Sequence, residues 1–440
     1  MKKNDRLQVN IEGYSSEGHG VAKPDGFVLF VPGAIAGETV DVHVLKVNKH
    51  FGFAKILRVV SPSPSRTEPA CEVCDRCGGC AMWHADYDEE KRFKRIKVMQ
   101  NLKKAGIDTE VLEVLSTDDI IGYRNKAQYP VREQDGKTVV GFYRNGSHTV
   151  IEGVCMIQPR IFHDIAMEIK ALMPRYGITA YNEKTGRGVL RHIYLRANAN
   201  RSEIMLCLVV NGKIDKNSPI FDKLCVKFKE ISTVCINYND KNTNVILGDR
   251  YEILRGNGYI TDTLCGRRFI ISPQSFYQVN HDGCELLYSL AREHVRGAHR
   301  VLDLYCGIGT VGICTVGEGA RLTGVEIVPE AIGNAKNNAR LNGMENAEFF
   351  AADAGDIASV TDKDFDAIIV DPPRKGCDKR TLDFIIEKNP QRLVYISCDS
   401  ATLARDLAIL KDNFEILTVT PVDMFPRTHH VECCVLLCRT

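Results

Sequence analysis

Two short stretches of this chain put reactive side chains where strands would end. Tyr395-Ile396-Ser397-Cys398-Asp399 sets a thiol at the end of an apolar run, and Phe425-Pro426-Arg427-Thr428-His429-His430-Val431-Glu432 sets a carboxylate just before another, Cys433 to Cys438. Upstream, Asp303-Leu304-Tyr305-Cys306-Gly307-Ile308-Gly309-Thr310 is a glycine-rich turn of the kind that lets backbone approach a nucleotide-type ligand. A thiol, a carboxylate and such a pocket at adjacent strand ends can add a nucleophile to a ring, transfer a group and then remove a proton. A second group of thiols, Cys71, Cys77 and Cys80 with the distant Cys155, is spaced like the ligands of a bound centre.

These groups need a scaffold, and the chain's periodicity supplies one. Beyond residue 271, apolar strands alternate with helical stretches, the pattern of parallel βαβ units. The strands are expected at Arg300 to Leu304, Arg321 to Glu326, Ala347 to Phe350, Ala367 to Asp371 and Leu393 to Ser397. Two more, Glu415 to Val422 and Glu432 to Arg439, have no helix-length segment between them and should pair antiparallel. A doubly wound sheet with that ending resembles the class I (Rossmann-like) methyltransferase fold.

The 440 residues leave room for two or three domains. Residues 1 to 60 alternate as short strands between regularly placed glycines, which predicts a small OB-like β-barrel. Ser61-Pro62-Ser63-Pro64-Ser65 reads as a linker. Residues 61 to 270 read as an antiparallel α+β domain that carries the cysteine loop, and residues 271 to 440 as the α/β domain. The run Lys91-Arg92-Phe93-Lys94-Arg95-Ile96-Lys97 predicts a helix that buries Phe93, Ile96, Val98, Met99 and Leu102. Its basic face either meets phosphates or is simply solvated.

Overall charge is +1, so pI says nothing about partners. No run of 18 apolar residues suggests a membrane span. The amino-terminal residues show no secretory pattern, so the 17 cysteines are expected to be reduced, in a cytoplasmic protein. No membrane contact and no obligate protein partner is expected.

Gly307-Ile308-Gly309-Thr310-Val311-Gly312 fits the G-x-G-x-x-G pattern, and Glu326 ends the next strand. The motif alone does not separate NAD from S-adenosylmethionine. Asp371-Pro372-Pro373-Arg374-Lys375-Gly376 favours group transfer to a planar base: its prolines hold an extended turn and set acceptors at the sheet's carboxyl edge. Four thiolates suit zinc or an iron–sulfur cluster. Only one C-x2-C knuckle is present, and three clustered ligands with one remote look more like [4Fe–4S].

The motifs together resemble a known family. Ser272-Pro273-Gln274-Ser275-Phe276-Tyr277-Gln278-Val279-Asn280, the Asp303 to Thr310 loop, Val325-Glu326, Asp371-Pro372-Pro373-Arg374, Ser397-Cys398-Asp399 and His429-His430-Val431-Glu432 are similar to those of the RNA uracil-C5 methyltransferases. Gly18-His19-Gly20-Val21-Ala22 and Phe30-Val31-Pro32-Gly33-Ala34 resemble the TRAM domain, an RNA-binding barrel. With the cysteine loop, the resemblance is to the bacterial 23S ribosomal RNA type. It implies S-adenosylmethionine as cofactor, with Gln278, Tyr305, Glu326, Asp353 and Asp371 lining its site or the border with the uracil. It implies Cys398 as nucleophile, Glu432 as base, and a [4Fe–4S] cluster on Cys71, Cys77, Cys80 and Cys155. The expected partner is RNA, 23S first and a transfer RNA uridine as the alternative; a non-catalytic RNA-binding protein is the reading from another class. A free thiol has a pKa of about 8.5. A nearby cation such as Arg405, or the start of the helix Thr402 to Leu410, is expected to lower that of Cys398.

Overall fold

Seven strands form the carboxyl-terminal sheet, in the order Ala347–Ala351, Arg321–Glu326, Arg300–Leu304, Ala367–Val370, Arg392–Ser397, Glu432–Arg439, Phe414–Val422. The computed structural model describes residues 1–361 and 363–440. The first five strands run parallel, while Glu432–Arg439 is antiparallel to both of its neighbours. Ala367-Ile368-Ile369-Val370 is buried throughout, as a parallel strand covered on both faces requires. The strand order reverses between Arg300–Leu304 and Ala367–Val370, so a crevice opens beyond their carboxyl ends, where such sheets bind ligands.

Two helix starts on this side are capped by aspartates, while Thr310–Thr315 and Pro329–Leu341 begin without a side-chain cap. Asp399 accepts from the Ala401 and Thr402 amides at 3.0 Å, and Asp378 from that of Thr381 at 2.8 Å. Both caps hold the turns that follow reactive segments.

The amino-terminal sheet has six strands, ordered Arg6–Asn10, Thr39–Val47, Phe51–Ser61, Val28–Val31, Gly20–Ala22, Gly13–Tyr14. Alternate residues such as Val40, Val42 and Val44 turn into its core. The segment expected to be a linker is fastened: buried Glu38 accepts from Arg66 Nε and from the Ser63 amide.

The central sheet is mixed rather than antiparallel. Ile204–Val210 and Ile231–Tyr238 run parallel, joined across the helix Ile220–Lys227. The other pairs, among Lys126–Gln134, Lys137–Val140, Leu190–Ala197 and Arg250–Arg255, are antiparallel. Ile204–Val210 is apolar and fully buried, a pattern that fits a parallel strand as well as a central antiparallel one.

The basic helix spans Tyr87–Lys104. Phe93, Val98 and Leu102 are buried as expected, but Met99 is 47% exposed and Lys94 takes a place in the buried stripe. Most of its cations are used internally, Lys91 on Asp88, Arg92 on Glu89 and Arg95 on Glu113. Val98 and Leu102 share a core with the carboxyl-terminal sheet, and Val111 and Leu115 bridge to Val419 and Val422 at its edge. Among the described residues no helix is long and apolar enough to cross a membrane.

Candidate active site

One cleft of about 760 Å³ lies at the carboxyl edge of the seven-stranded sheet. Gln278, Tyr305, Glu326, Asp353, Asp371, Cys398 and Glu432 all line it. Their positions follow from local geometry. Tyr305 has φ +64°, Gly307 +56° and Gly309 +83°, so the loop coils tightly before the helix Thr310–Thr315. Glu326 ends the adjacent strand, where its carboxylate accepts from the Gly307 amide at 3.3 Å and the Val328 amide at 3.0 Å. That leaves a glycine-lined trough with an acid at its rim, suited to ribose hydroxyls. Gln278 is held by its backbone, whose carbonyl accepts from Asn125 Nδ2 at 2.9 Å. Asp353 is already engaged: its carboxylate caps Gly355 at 2.9 Å and pairs with Arg380 at 3.2 Å.

Behind the loop, Asp303 is wholly buried. One carboxyl oxygen accepts from the Gly312 amide at 2.8 Å and the other has no partner. Burial drives its pKa up to about 8.

The reactive pair is set by strand register. Ser397 lies opposite Cys433 in the antiparallel ladder, so Cys398 and Glu432 leave neighbouring strands at the same level. Burial, then the charges of Glu432 and Asp371, push Cys398 up to about 11, against a lowering by Arg374. Glu432 rises to about 8 through burial and the charge of Asp371, again opposed by Arg374, and Asp371 rises to about 7 through burial. The expected lowering of the thiol is therefore reversed. Arg405 turns away, giving its guanidinium to Asp406 and to the carbonyls of Lys375 and Cys377. It braces the turn after Asp371 instead. At Gly376, φ is +76° and a Cβ would meet Arg405 and Asp406 within 2.6 Å, so no other residue fits there without displacement.

Arg374, Arg124, Phe425, Thr428 and His430 complete the wall. Burial lowers His429 and His430 to about 4, so both rings are neutral, tilted 41° to one another with centroids 4.1 Å apart.

Residues 86–440 match the family described as tRNA (Uracil-5-)-methyltransferase, and residues 2–57 match the TRAM domain. The chain belongs to the tRNA (uracil-5-)-methyltransferase family. An uncharacterized RNA methyltransferase of Halalkalibacterium halodurans is 41% identical over 99% of this chain and 98% of its own length. One of Clostridium acetobutylicum is 40% identical over 100% and 98%. Among solved structures, the Pyrococcus abyssi tRNA (uracil-54, C5)-methyltransferase in complex with S-adenosyl-L-homocysteine superimposes with a TM-score of 0.80 at 27% identity, covering 98% of this chain and 99% of that one. This methyltransferase thus carries the S-adenosylmethionine-dependent fold with a TRAM domain, and RNA is its substrate.

The cysteine loop reaches the cleft through Gly79. Cys71 is buried and Cys77, Cys80 and Cys155 are half-buried around Val73, Trp83 and Ile157. Burial, with the charges of Cys77 and Cys71, drives Cys80 up to about 12 and Cys155 up to about 11. The Gly79 amide donates to Cys77 Sγ at 3.4 Å. Among the described residues, no group of three or more His, Cys, Asp or Glu side chains is arranged to hold a metal ion. Cys74 has Cys71 and Asp75 as its charged neighbours.

Proposed function

We propose that this enzyme methylates carbon 5 of a uridine in 23S ribosomal RNA through a transient bond between Cys398 and carbon 6 of the base. The observation that carries the reading is the pairing of Cys398 and Glu432 at one level of adjacent strands, on the cleft that the Gly307 loop and Glu326 also line.

Gln278, Tyr305, Glu326, Asp353 and Asp371, which line the cleft, would hold S-adenosylmethionine, and it would supply an electrophilic methyl carbon. Carbon 5 of uracil is too weak a nucleophile alone. The Cys398 thiol gives its proton to solvent water, its sulfur forms a bond to carbon 6, and the ring's π electrons move to the O4 side as an enolate. Carbon 5 then takes the methyl group as the methyl–sulfur bond breaks. Glu432 accepts the remaining proton from carbon 5, the double bond reforms and the Cys398 thiolate leaves. Glu432, raised to about 8, is basic enough to hold that proton. Arg374 is the cation that offsets the sulfur's charge.

In this reading residues 1–60 bind RNA, 61–270 carry a [4Fe–4S] cluster on Cys71, Cys77, Cys80 and Cys155, and 271–440 carry the chemistry, in the cytoplasm. The cysteine loop is what supports the ribosomal target. A transfer RNA uridine is the second reading, favoured by the Pyrococcus enzyme, whose named substrate is tRNA and whose likeness extends over nearly the whole chain.

The test uses RNA in which 5-fluorouridine replaces uridine. Fluorine does not leave as a proton does, so with S-adenosylmethionine a stable protein–RNA adduct bearing the methyl group should appear on a denaturing gel. Offering 23S and transfer RNA transcripts separately assigns the target. No adduct with either RNA would overturn the covalent mechanism.

A further inference from the structure

The segment from Asp423 to Val431 joins two strands and delivers Glu432 to the cleft, yet it has no secondary structure of its own. It is fixed by bonds from elsewhere. Lys94 on the helix Tyr87–Lys104 is 0% exposed, as are Glu90 and Asp423. Its ammonium donates to Glu90 and Asp423 at 2.7 Å each and to the Phe425 carbonyl at 3.2 Å. Asp423 also accepts from the Phe425 amide and the Tyr87 hydroxyl, both at 3.0 Å. Glu90 accepts from the Arg427 amide at 2.7 Å.

The cysteine loop joins the same set. Ala81 and Met82, which follow Cys80, donate their amides to the Arg427 carbonyl at 2.9 and 3.1 Å. Lys97 closes the far end, donating to the His429 carbonyl at 2.9 Å. None of Lys94, Glu90, Asp423 or Tyr87 lines the cleft.

Buried charge sets of this kind are seldom the cheapest way to hold two elements together, since apolar side chains of similar volume often do so equally well. What Lys94 adds is direction: it fixes a carbonyl and two carboxylates that in turn fix the amides of Phe425 and Arg427. We propose that Lys94 is a positioning residue for Glu432, acting through the Asp423–Val431 segment, so that its loss slows removal of the carbon 5 proton far more than it weakens binding, although Phe425, Thr428 and His430 of that segment also line the cleft. Cys398 comes from a different strand and depends on none of these bonds. The inference rests on the covalent mechanism above.

The variant Lys94→Met removes the cation and keeps most of the volume. Misplacement of a reacting group by about 1 Å costs on the order of 100-fold in rate. The expected outcome is a fall in kcat of about 10- to 100-fold, KM values for RNA and S-adenosylmethionine within about twofold of wild type, and accumulation of a covalent adduct with ordinary uridine RNA. Tyr87→Phe, which deletes one bond to Asp423 and keeps the ring, should show the same split at smaller size in a protein whose melting temperature is close to wild type. A fall in kcat without accumulated adduct, or KM values that rise in step, in both variants, would overturn the proposal. The wild-type adduct with 5-fluorouridine RNA is the control: its failure removes the mechanism, whereas its success with no trapped species in either variant removes only the role of Lys94.

Discussion

The charge of Glu432 raises the barrier to ionisation of Cys398. Burial lifts the thiol first, and the Glu432 charge is the next contribution, bringing it to about 11. The sulfur is therefore held protonated near neutral pH, with Arg374 as the opposing cation. Cys398→Ala should abolish methyl transfer and the 5-fluorouridine adduct while leaving S-adenosylmethionine binding within about twofold, since that site is built from other strands. Titration calorimetry and a denaturing gel check the two halves; residual turnover in the variant would exclude the sulfur as nucleophile.

The pH profile follows from Glu432. A base must be ionised to act, and this carboxyl has been pushed up to about 8. The kcat/KM value, which reports the free enzyme, should rise steeply as pH increases toward 8 and less steeply above it, where only the Cys398 thiol, pushed up to about 11, still has to ionise. Arg374 lowers both Cys398 and Glu432, so Arg374→Met should move the rise to higher pH. Initial rates between about pH 6.5 and 9.5 decide this, because a profile flat across that window contradicts Glu432 as base.

Stability should respond to pH through Asp303. Its folded pKa of about 8 lies well above the unfolded value. Between the two, the folded state holds a proton that the unfolded state has lost, so stability falls as pH rises, by at most about 1.4 kcal/mol per pH unit. Above 8 the penalty stops growing. Asp303→Asn removes it, so its melting temperature should exceed that of wild type by more at pH 8 than at pH 6. Equal shifts at both values would mean that the carboxyl is not held neutral.

Much of this was legible beforehand because parallel βαβ units write themselves as apolar runs. The run Ala367 to Val370 and the unbridged terminal pair forecast the sheet, and the residues at the strand ends converge on one cleft. The sign of the Cys398 shift was not legible. Sequence supplies the helix start and Arg405, but only the fold shows that Arg405 belongs to Asp406 and that two buried carboxylates face the sulfur. Lys94 was hidden for a related reason: in a run of seven residues with five cations, nothing marks the one that points inward. The parallel pair in the central sheet was missed because an apolar run does not state its direction.

Loss of one cysteine tests the other centre. Cys155→Ser, prepared without oxygen, should contain less iron than wild type and lose visible absorbance, because in the proposed cluster Cys155 would be the remote ligand. Iron analysis checks it; unchanged iron, or zinc in its place, would reject the cluster.

The ladder opposite Ser397 has an evolutionary corollary. The ladder keeps nucleophile and base abreast, and the bonds around Lys94 aim the base from behind; none of Ser397, Cys433, Lys94 and Asp423 lies in the cleft. A lineage can therefore change its RNA partner without disturbing the machinery that rewrites the base.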